Sequence, residues 1–310
     1  MIGPRAPFAV ITTVLVALLP GAIIQTTLFG LGTWVNVAAA AGSAVGVEAL
    51  VARLRGLSPT ALLRDGSAVL TATLLALSLP PGVPVGVVVI GTLIALCLGK
   101  HAFGGLGANP FNPAMIGYAA LLLSFPSLLA AWPTPDAMIG VDGLTGATPL
   151  DIFKHRGALT VADLWTQAHG FGAFGGTGWE WLNAGYLLGG IVLITRRVID
   201  WHIPVTVLAT LGVLATASYD VGSSSSLGSP LYHYFSGATM LGAFFVATDP
   251  VTCPTTPRGR VVFAVLLGAT LFLIRSASEY PDGVAFAVLL ANAASPLIDQ
   301  TVGRRREQPS

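Results

Sequence analysis

Residues 8–29 read FAVITTVLVALLPGAIIQTTLF, and this stretch decides the class of the protein. It contains no charged side chain, and about 20 apolar residues are enough to cross the hydrocarbon core of a bilayer. It is too long for the apolar region of a signal peptide, and no clear cleavage site follows it. We therefore interpret it as a retained transmembrane helix.

The composition of the whole chain agrees with this interpretation. Of 310 residues, 54% are hydrophobic and 9% are charged, whereas soluble domains carry about 25% charged residues. No basic run is present that would bind nucleic acid. Cys97 and Cys253 have neither a partner Cys nor a His at metal-ligand spacing, which argues against a zinc or iron–sulfur site held by this chain alone. The composition thus indicates a polytopic membrane protein without a metal site.

Apolar stretches separated by polar turns divide the chain into ten predicted transmembrane helices. The third and the eighth are short, which is typical of broken helices in transporter-like bundles. Their approximate bounds are 8–29, 31–52, 66–79, 83–98, 113–132, 181–195, 203–218, 236–248, 260–274 and 281–298.

Basic residues lie almost entirely on one side of the predicted bundle, and the positive-inside rule assigns that side to the cytoplasm. Both termini are then cytoplasmic, and residues 133–180 form an external loop. Lys154, Arg156 and Arg275 are the exceptions to the pattern. The basic residues that agree with the positive-inside pattern are Arg5, Arg53, Arg55, Arg64, Lys100, Arg196, Arg197, Arg258, Arg260, Arg304, Arg305 and Arg306.

The two halves of the chain echo each other at an offset of five helices. Short third and eighth helices recur, and Asn and Pro mark both the fifth and the tenth. An odd offset inverts the second copy relative to the first. We therefore predict an all-α polytopic membrane protein of two inverted five-helix repeats: residues 1–132, an external loop at 133–180, and residues 181–310.

The external loop contains the polar segment DGLTGATPLD at residues 142–151. Thr145 and Thr148 supply its hydroxyl nucleophiles, Gly143 and Gly146 permit close approach of the backbone, and Pro149 prevents a helix from running through Thr148. A segment of this composition is most often only a connecting turn. Because the segment is predicted to lie at one membrane face, a second interpretation remains open: the segment presents Thr148 to a cofactor.

Several motifs, in this order, give the chain a specific resemblance over nearly its whole length. They are DGSAVLTA at residues 65–72, GGLGANPFNPAMIGY at 104–118, SFP at 124–126, DGLTGATPL at 142–150 and ATDPV at 247–251. The chain resembles the RnfD/NqrB membrane subunits of respiratory ion-translocating oxidoreductases. Its length favours the RnfD type, whose complex moves electrons between ferredoxin and NAD.

The resemblance implies that Thr148 carries FMN through a phosphoester bond. Thr145-Gly146-Ala147-Thr148 fits the family's attachment motif, Ser/Thr-Gly-Ala-Thr, and a separate flavin transferase outside the cytoplasm makes the bond. Ser236-Gly-Ala-Thr239 also fits the motif, but it opens the eighth predicted helix, where Ser236 is expected to act as an N-cap. We favour Thr148 because a loop is accessible to an enzyme.

The resemblance also implies a second, non-covalent flavin, riboflavin. Asn109 and Asn112 are candidates to bind it because amides can donate to and accept from the edge of a flavin ring. The alternative is that both residues cap a broken helix. Four acidic residues near predicted helix ends, Asp65, Asp249, Glu48 and Asp299, are either functional or simply interfacial.

The function implied is that of an electron-transfer subunit, without catalytic residues of its own, in a bacterial inner-membrane complex coupled to Na⁺ or H⁺ movement. The implied partners are iron–sulfur subunits and a second covalent-flavin subunit, in a complex of six, with membrane lipid around them. Two alternatives remain at this point: a secondary transporter or channel-like protein without a redox cofactor, and a purely structural subunit.

Overall fold

The computed structural model describes residues 7–135, 145–167, 170–278, 280 and 282–303, and these residues are mostly helical. Two-residue strands are β1 (Trp132–Pro133) and β2 (Thr145–Gly146), and 3-10 turns cover His101–Phe103 and Asp220–Gly222. The α-helices are α1 (Pro7–Phe29), α2 (Gly32–Leu54), α3 (Pro59–Leu63), α4 (Ser67–Ser78), α5 (Val85–Cys97), α6 (Pro113–Ser124), α7 (Pro126–Ala130), α8 (Pro149–Lys154), α9 (Val161–Gln167), α10 (Trp179–Thr195), α11 (His202–Ala217), α12 (Pro230–Tyr234), α13 (Thr239–Leu241), α14 (Pro257–Ala277) and α15 (Val284–Gly303).

Each predicted transmembrane segment has a helical counterpart, but the helices differ greatly in length. Within the described residues, five helices are long and apolar enough to cross a membrane: Phe8–Phe29, Gly32–Leu54, Val85–Phe103, Pro257–Ala277 and Val284–Val302. Three further apolar helices, α4, α6 and α11, are shorter. The structure thus supports a helical, multi-pass membrane protein. Ten spans and an inverted repeat stay predictions.

Two predicted helices, the fifth and the eighth, differ from continuous α-helices. The fifth ends at Ser124 and resumes as α7 because Pro126 lacks the amide hydrogen that a continuous helix needs. The eighth is reduced to α13 and a buried π-helical turn at Gly242–Val246. Ala238, and not Ser236, occupies the cap position of α13. The expectation that Ser236 is an N-cap is therefore wrong.

The chain forms two compact units. Unit 1 contains Met1–Leu144 and Leu188–Ile199, and unit 2 contains Thr145–Leu187 and Asp200–Ser310, so that the division falls within α10. The predicted boundaries at residues 132 and 180 stay predictions.

Unit 1 is organised around α2, which packs against α4 and α5. Small residues of α2 form the buried face, among them Ala40 and Ala44, and Asn36 on the same face donates to the carbonyl of Pro80 at 2.9 Å. α5 and α6 approach closely where Gly117 meets Gly91: a Cβ on Gly117 would lie 2.6 Å from the Gly91 oxygen. Small residues at a crossing allow this tight packing of apolar helices.

Unit 2 is organised around α14, which packs against both α11 and α15. The crossing of α14 with α11 again depends on glycine, because a Cβ on Gly268 would lie 2.9 Å from the Val207 oxygen. The short helices α8, α9 and α12 also belong to unit 2. The first of them, α8, begins directly after Thr148 of the attachment motif.

Candidate functional site

Thr148 is the N-cap residue of α8. Its backbone is extended, and its Oγ1 accepts a hydrogen bond from the amide of Asp151 at 3.3 Å. Pro149 follows at the first helical position, where a missing amide hydrogen costs nothing. Because the Thr148 oxygen acts as an acceptor in this cap, its own proton is not needed to hold the turn.

The residues next to Thr148 leave it accessible. Thr148 and Gly146 are half-buried and Ala147 is exposed, whereas Pro149 and Leu150 are buried. β2 includes the backbone of Thr145 and Gly146. Asp142, Gly143 and Leu144, the start of the predicted segment, lie outside the described residues. The described part of the motif therefore combines an accessible hydroxyl with a firmly anchored helix.

An aromatic cluster anchors α8. Leu150 and Phe153 on α8 pack with Leu164 and Tyr232, and all four are buried. The Phe153 and Tyr232 rings stack with centroids 4.6 Å apart, and the Tyr232 hydroxyl donates to the carbonyl of Pro149 at 3.0 Å. Burial of several large side chains gives this loop region a small core of its own.

A glycine-rich turn at residues 170–178 packs against α8 and the start of α10. Glu180 Oε1 accepts hydrogen bonds from the amides of Phe174 and Gly175, at 2.8 and 2.7 Å. A Cβ on Gly176 would lie 2.3 Å from Pro149 Cγ, so only glycine fits between this turn and α8. The long loop is thus an ordered support for Thr148 where the structure describes it. His155 on the same support is exposed, as expected of a loop histidine, and His169 lies outside the described residues.

Thr239, in the second match to the attachment motif, has a very different environment. It is 1% exposed, its hydroxyl lies 2.7 Å from the carbonyl of His233, and it accepts from Arg275 Nη2 at 2.9 Å. Arg275 also pairs with Asp282 Oδ1 at 3.0 Å. An enzyme could reach this hydroxyl only after unfolding the surrounding network.

Gly237 should be needed for the close packing around Thr239, and Gly157 offers a matched control. Both have positive φ, +57° and +63°, but a Cβ on Gly237 would lie 2.4 Å from Asp282 Oδ2, whereas a Cβ on Gly157 meets nothing within 4 Å. Both Ala variants share a backbone cost of about 1–2 kcal/mol. We expect Gly237→Ala to lower the free energy of unfolding by a further 1–3 kcal/mol or so. Denaturant unfolding in detergent measures both, and equal losses would contradict the prediction.

A cavity of about 210 Å³ lies beside α8 within unit 2. Its lining includes Lys154, Arg156 and Arg275, the three basic residues that do not follow the positive-inside pattern. Arg156 lies over the Phe153 ring at 4.0 Å and donates to the carbonyls of Phe153, Ser224 and Ser226. The three basic residues that do not follow the positive-inside rule therefore lie around one cavity.

Asn109 and Asn112, the predicted riboflavin contacts, are both buried in unit 1. Asn112 is the N-cap of α6 and accepts from the amide of Met115 at 3.2 Å. Asn109 donates to the carbonyl of Phe111 at 3.1 Å. The capping alternative is therefore confirmed for Asn112, whereas the Asn109 contact is not a helix cap. A role of either residue in flavin binding stays a prediction.

Unit 1 also contains a buried charged network that was not predicted from the sequence. Lys100 Nζ lies 2.8 Å from Glu48 Oε1 and 2.8 Å from Ser67 Oγ, and His101 Nε2 lies 3.1 Å from the same carboxylate oxygen. Ser67 in turn donates to Asp65 at 2.7 Å. The charge pattern placed Lys100 in a cytoplasmic loop. The position of Glu48 could have indicated this network, because Glu48 falls in register with Ala40, Ala44 and Ala52 on the buried face of α2.

The other two acidic candidates have local structural partners. Asp249 Oδ1 accepts from the amide of Val251 at 3.1 Å, and burial raises the pKa of Asp249. Asp299 accepts from the amide and hydroxyl of Thr255, at 3.1 and 3.2 Å. Both carboxylates thus brace the turn between the π-helical segment and α14.

Comparison with known proteins gives a consistent result. The model of the NQR2, RnfD, RnfE family matches residues 6–307. The chain is 46% identical to the D-subunit of the ion-translocating oxidoreductase complex of Vibrio cholerae serotype O1, over 95% of this chain and 93% of that protein. It is 45% identical to the protein of the same name from Pseudomonas aeruginosa, over 98% and 94% of the two chains. The Aeromonas salmonicida protein of that name is 46% identical over 92% and 90%.

Proposed function

This chain belongs to the NQR2, RnfD, RnfE family, and we propose that it is the membrane subunit of an Rnf-type ion-translocating oxidoreductase complex that carries FMN on Thr148. The observation that supports the attachment site most directly is the contrast between the two motif matches. Thr148 is accessible at the start of a short helix, whereas Thr239 is buried and held by hydrogen bonds to His233 and Arg275.

The chemistry of Thr148 suits a phosphoester. Esterification replaces the hydroxyl proton with phosphorus and leaves an oxygen that can still accept from the amide of Asp151. The cap of α8 can therefore persist after attachment. Exposed Ala147 and half-buried Gly146 leave space on the side from which a flavin transferase would approach.

The residues around α8 also fit a bound flavin. The cavity beside α8 is lined by the aromatic rings of Phe153 and Tyr232 and by the basic residues Lys154, Arg156 and Arg275. Ligand pockets are mostly apolar and aromatic, with a few polar or charged groups. This combination favours an aromatic, negatively charged occupant.

The flavin, when bound, supplies one-electron transfer between redox centres on partner subunits. The chain itself holds the attachment oxygen through the α8 cap and anchors α8 through the aromatic cluster of Leu150, Phe153, Leu164 and Tyr232. Handling of ferredoxin and NAD belongs to the partner subunits. These include the iron–sulfur subunits and the second covalent-flavin subunit.

Several finer features belong to the same proposal. We place the protein in the bacterial inner membrane with both termini in the cytoplasm and Thr148 outside. Riboflavin is the proposed second cofactor, and Na⁺ or H⁺ is the coupled ion.

The test is ultraviolet fluorescence of the denatured wild-type protein in a gel, after production with and without an active flavin transferase. The proposal expects a fluorescent band only when the transferase is present. Absence of fluorescence despite an active transferase would remove the flavin from the proposal and favour a transporter without a redox cofactor.

A further inference from the structure

One end of unit 1 joins the last turn of α2 to the 3-10 turn that follows α5. Arg55, the C-cap residue of α2, connects the two: its guanidinium donates to the carbonyls of His101 and Gly104, at 3.0 and 3.2 Å. α3 packs against α2 and has Arg64 as its C-cap residue. We call this end the arginine surface, and its residues are Arg53, Leu54, Arg55, Leu57, Arg64, Phe103 and Leu106.

The apolar side chains of the arginine surface lie at the end of two spans. Leu54 and Phe103 are the last residues of the helices Gly32–Leu54 and Val85–Phe103, and Leu57 and Leu106 lie beyond them. All four side chains are between 45% and 77% exposed. Exposed apolar side chains grouped in this way mark a membrane or protein contact. The surface is therefore placed to enter the boundary between lipid and water.

The three arginines of this surface carry positive charge that the chain does not balance. Arg53, Arg55 and Arg64 are exposed, and none of them forms an ion pair with another described residue. No acidic residue occurs at positions 49–64 or 101–135. The partners of Arg55 are neutral carbonyls, which leave its full charge in place.

The two acidic residues nearest in sequence do not cancel this charge. Glu48 is buried, and its Oε1 lies 2.8 Å from Lys100 Nζ, so that pair is neutral in itself. Asp65 Oδ1 accepts from the amide and the hydroxyl of Ser67, both at 2.7 Å. Even with the charge of Asp65 included, one carboxylate stands against three guanidinium groups. The surface keeps an excess of positive charge.

A partner for this surface must be negatively charged and apolar at once. We propose that the arginine surface binds an anionic phospholipid, with its phosphate at the guanidinium groups and its acyl chains against the exposed leucines and Phe103. A guanidinium has five N–H donors in a fork that matches phosphate, and Arg55 uses two of its groups on carbonyls. Basic clusters next to membrane spans recognise anionic lipids in this way.

A lipid fits better than an acidic protein because the leucines and Phe103 lie at the ends of two spans, where acyl chains are at hand. The arginines also lie on the side predicted to be cytoplasmic, where the leaflet carries the negative surface charge. The inference goes beyond the electron-transfer function and does not depend on the flavin.

The experiment is a lipid titration of the full-length protein in detergent, followed by native mass spectrometry. The two lipids are phosphatidylglycerol and phosphatidylcholine with the same acyl chains, which differ in net charge. Arg53→Gln and Arg64→Gln are compared with Arg258→Gln, which removes an exposed arginine of unit 2 on the same predicted side. Arg55 is left unchanged because it also holds the 3-10 turn.

We expect the wild-type protein to bind phosphatidylglycerol more tightly than phosphatidylcholine. Arg53→Gln and Arg64→Gln should each weaken phosphatidylglycerol binding about fivefold and leave phosphatidylcholine binding unchanged. A fivefold change is about 1 kcal/mol, the attraction of one basic residue near an anionic membrane surface. Arg258→Gln should change neither affinity. Leu57→Ser should weaken binding of both lipids, because it removes apolar contact and no charge.

Equal wild-type affinities for the two lipids would overturn the proposal, as would arginine variants that bind phosphatidylglycerol like Arg258→Gln. Co-purification of the complex from native membranes tests the acidic-protein alternative. An Arg53→Gln protein that keeps its affinity for phosphatidylglycerol but loses a partner subunit would assign the arginine surface to that subunit and not to lipid.

Discussion

Thr148→Ala should abolish covalent flavin completely, because alanine has no oxygen with which to form the phosphoester. Thr239→Ala should keep full fluorescence in the denaturing gel, since Thr239 is 1% exposed and its hydroxyl is already bonded to His233 and Arg275. The measurement is the fluorescence of each band normalised to protein.

Thr148→Ser is the matched control for this experiment. Serine retains the hydroxyl and caps helices as well as threonine does, so we expect a fluorescent band from this variant. Loss of the Thr148 cap should cost about 1 kcal/mol in Thr148→Ala, which is too little to explain a complete loss of flavin. Fluorescence that persists in Thr148→Ala and disappears in Thr239→Ala would move the attachment to the second motif.

Lys100→Met should be the most destabilising single substitution considered for unit 1. Glu48 is fully buried and Lys100 is 4% exposed, and their charged atoms lie 2.8 Å apart. Removal of one partner leaves a buried carboxylate without its counter-charge, at a cost of about 3–5 kcal/mol. Denaturant unfolding of the detergent-solubilised protein measures this loss in the free energy of unfolding.

Two controls separate the buried pair from charge removal in general. Arg64 is exposed, and Arg64→Met should change stability by about 0.5 kcal/mol or less. The double variant Glu48→Gln/Lys100→Met should recover a large part of the loss, because it removes the uncompensated charge. A double variant as unstable as Lys100→Met alone would show that packing, and not charge, dominates at this site.

The local sequence was sufficient for the helical class and for most helix bounds. Apolar length predicted α1, α2 and α14 to within a few residues, because a helix that faces lipid must satisfy its backbone hydrogen bonds internally. Proline chemistry explains why α6 stops at Ser124, although apolar length alone predicted a continuous helix there. The N-cap role predicted for Ser236 failed because the helical segment begins only at Thr239, so that Ala238 precedes its first residue.

The motif around Thr148 was also evident in the sequence, but its surroundings were not. Local patterns could separate Thr148 from Thr239 only by the expected accessibility of a loop. Burial of Thr239 by Arg275 and Asp282 depends on residues 36 and more positions away in the chain, and no local pattern reports such contacts.

What the sequence by itself determined is therefore the membrane class and most of the helices, since these follow from hydropathy and from local side-chain chemistry. The candidate attachment residue, Thr148, is what the resemblance to the RnfD/NqrB subunits implies. Only the tertiary structure decided which charges are buried together. Lys154, Arg156 and Arg275 looked like exceptions to a topology rule, and Lys100 looked like a loop charge that obeyed it. Folding brings the first three around one cavity and pairs the fourth with Glu48. The physical reason is that the free energy of a buried charge depends on its neighbours in space, which the order of residues along the chain does not specify.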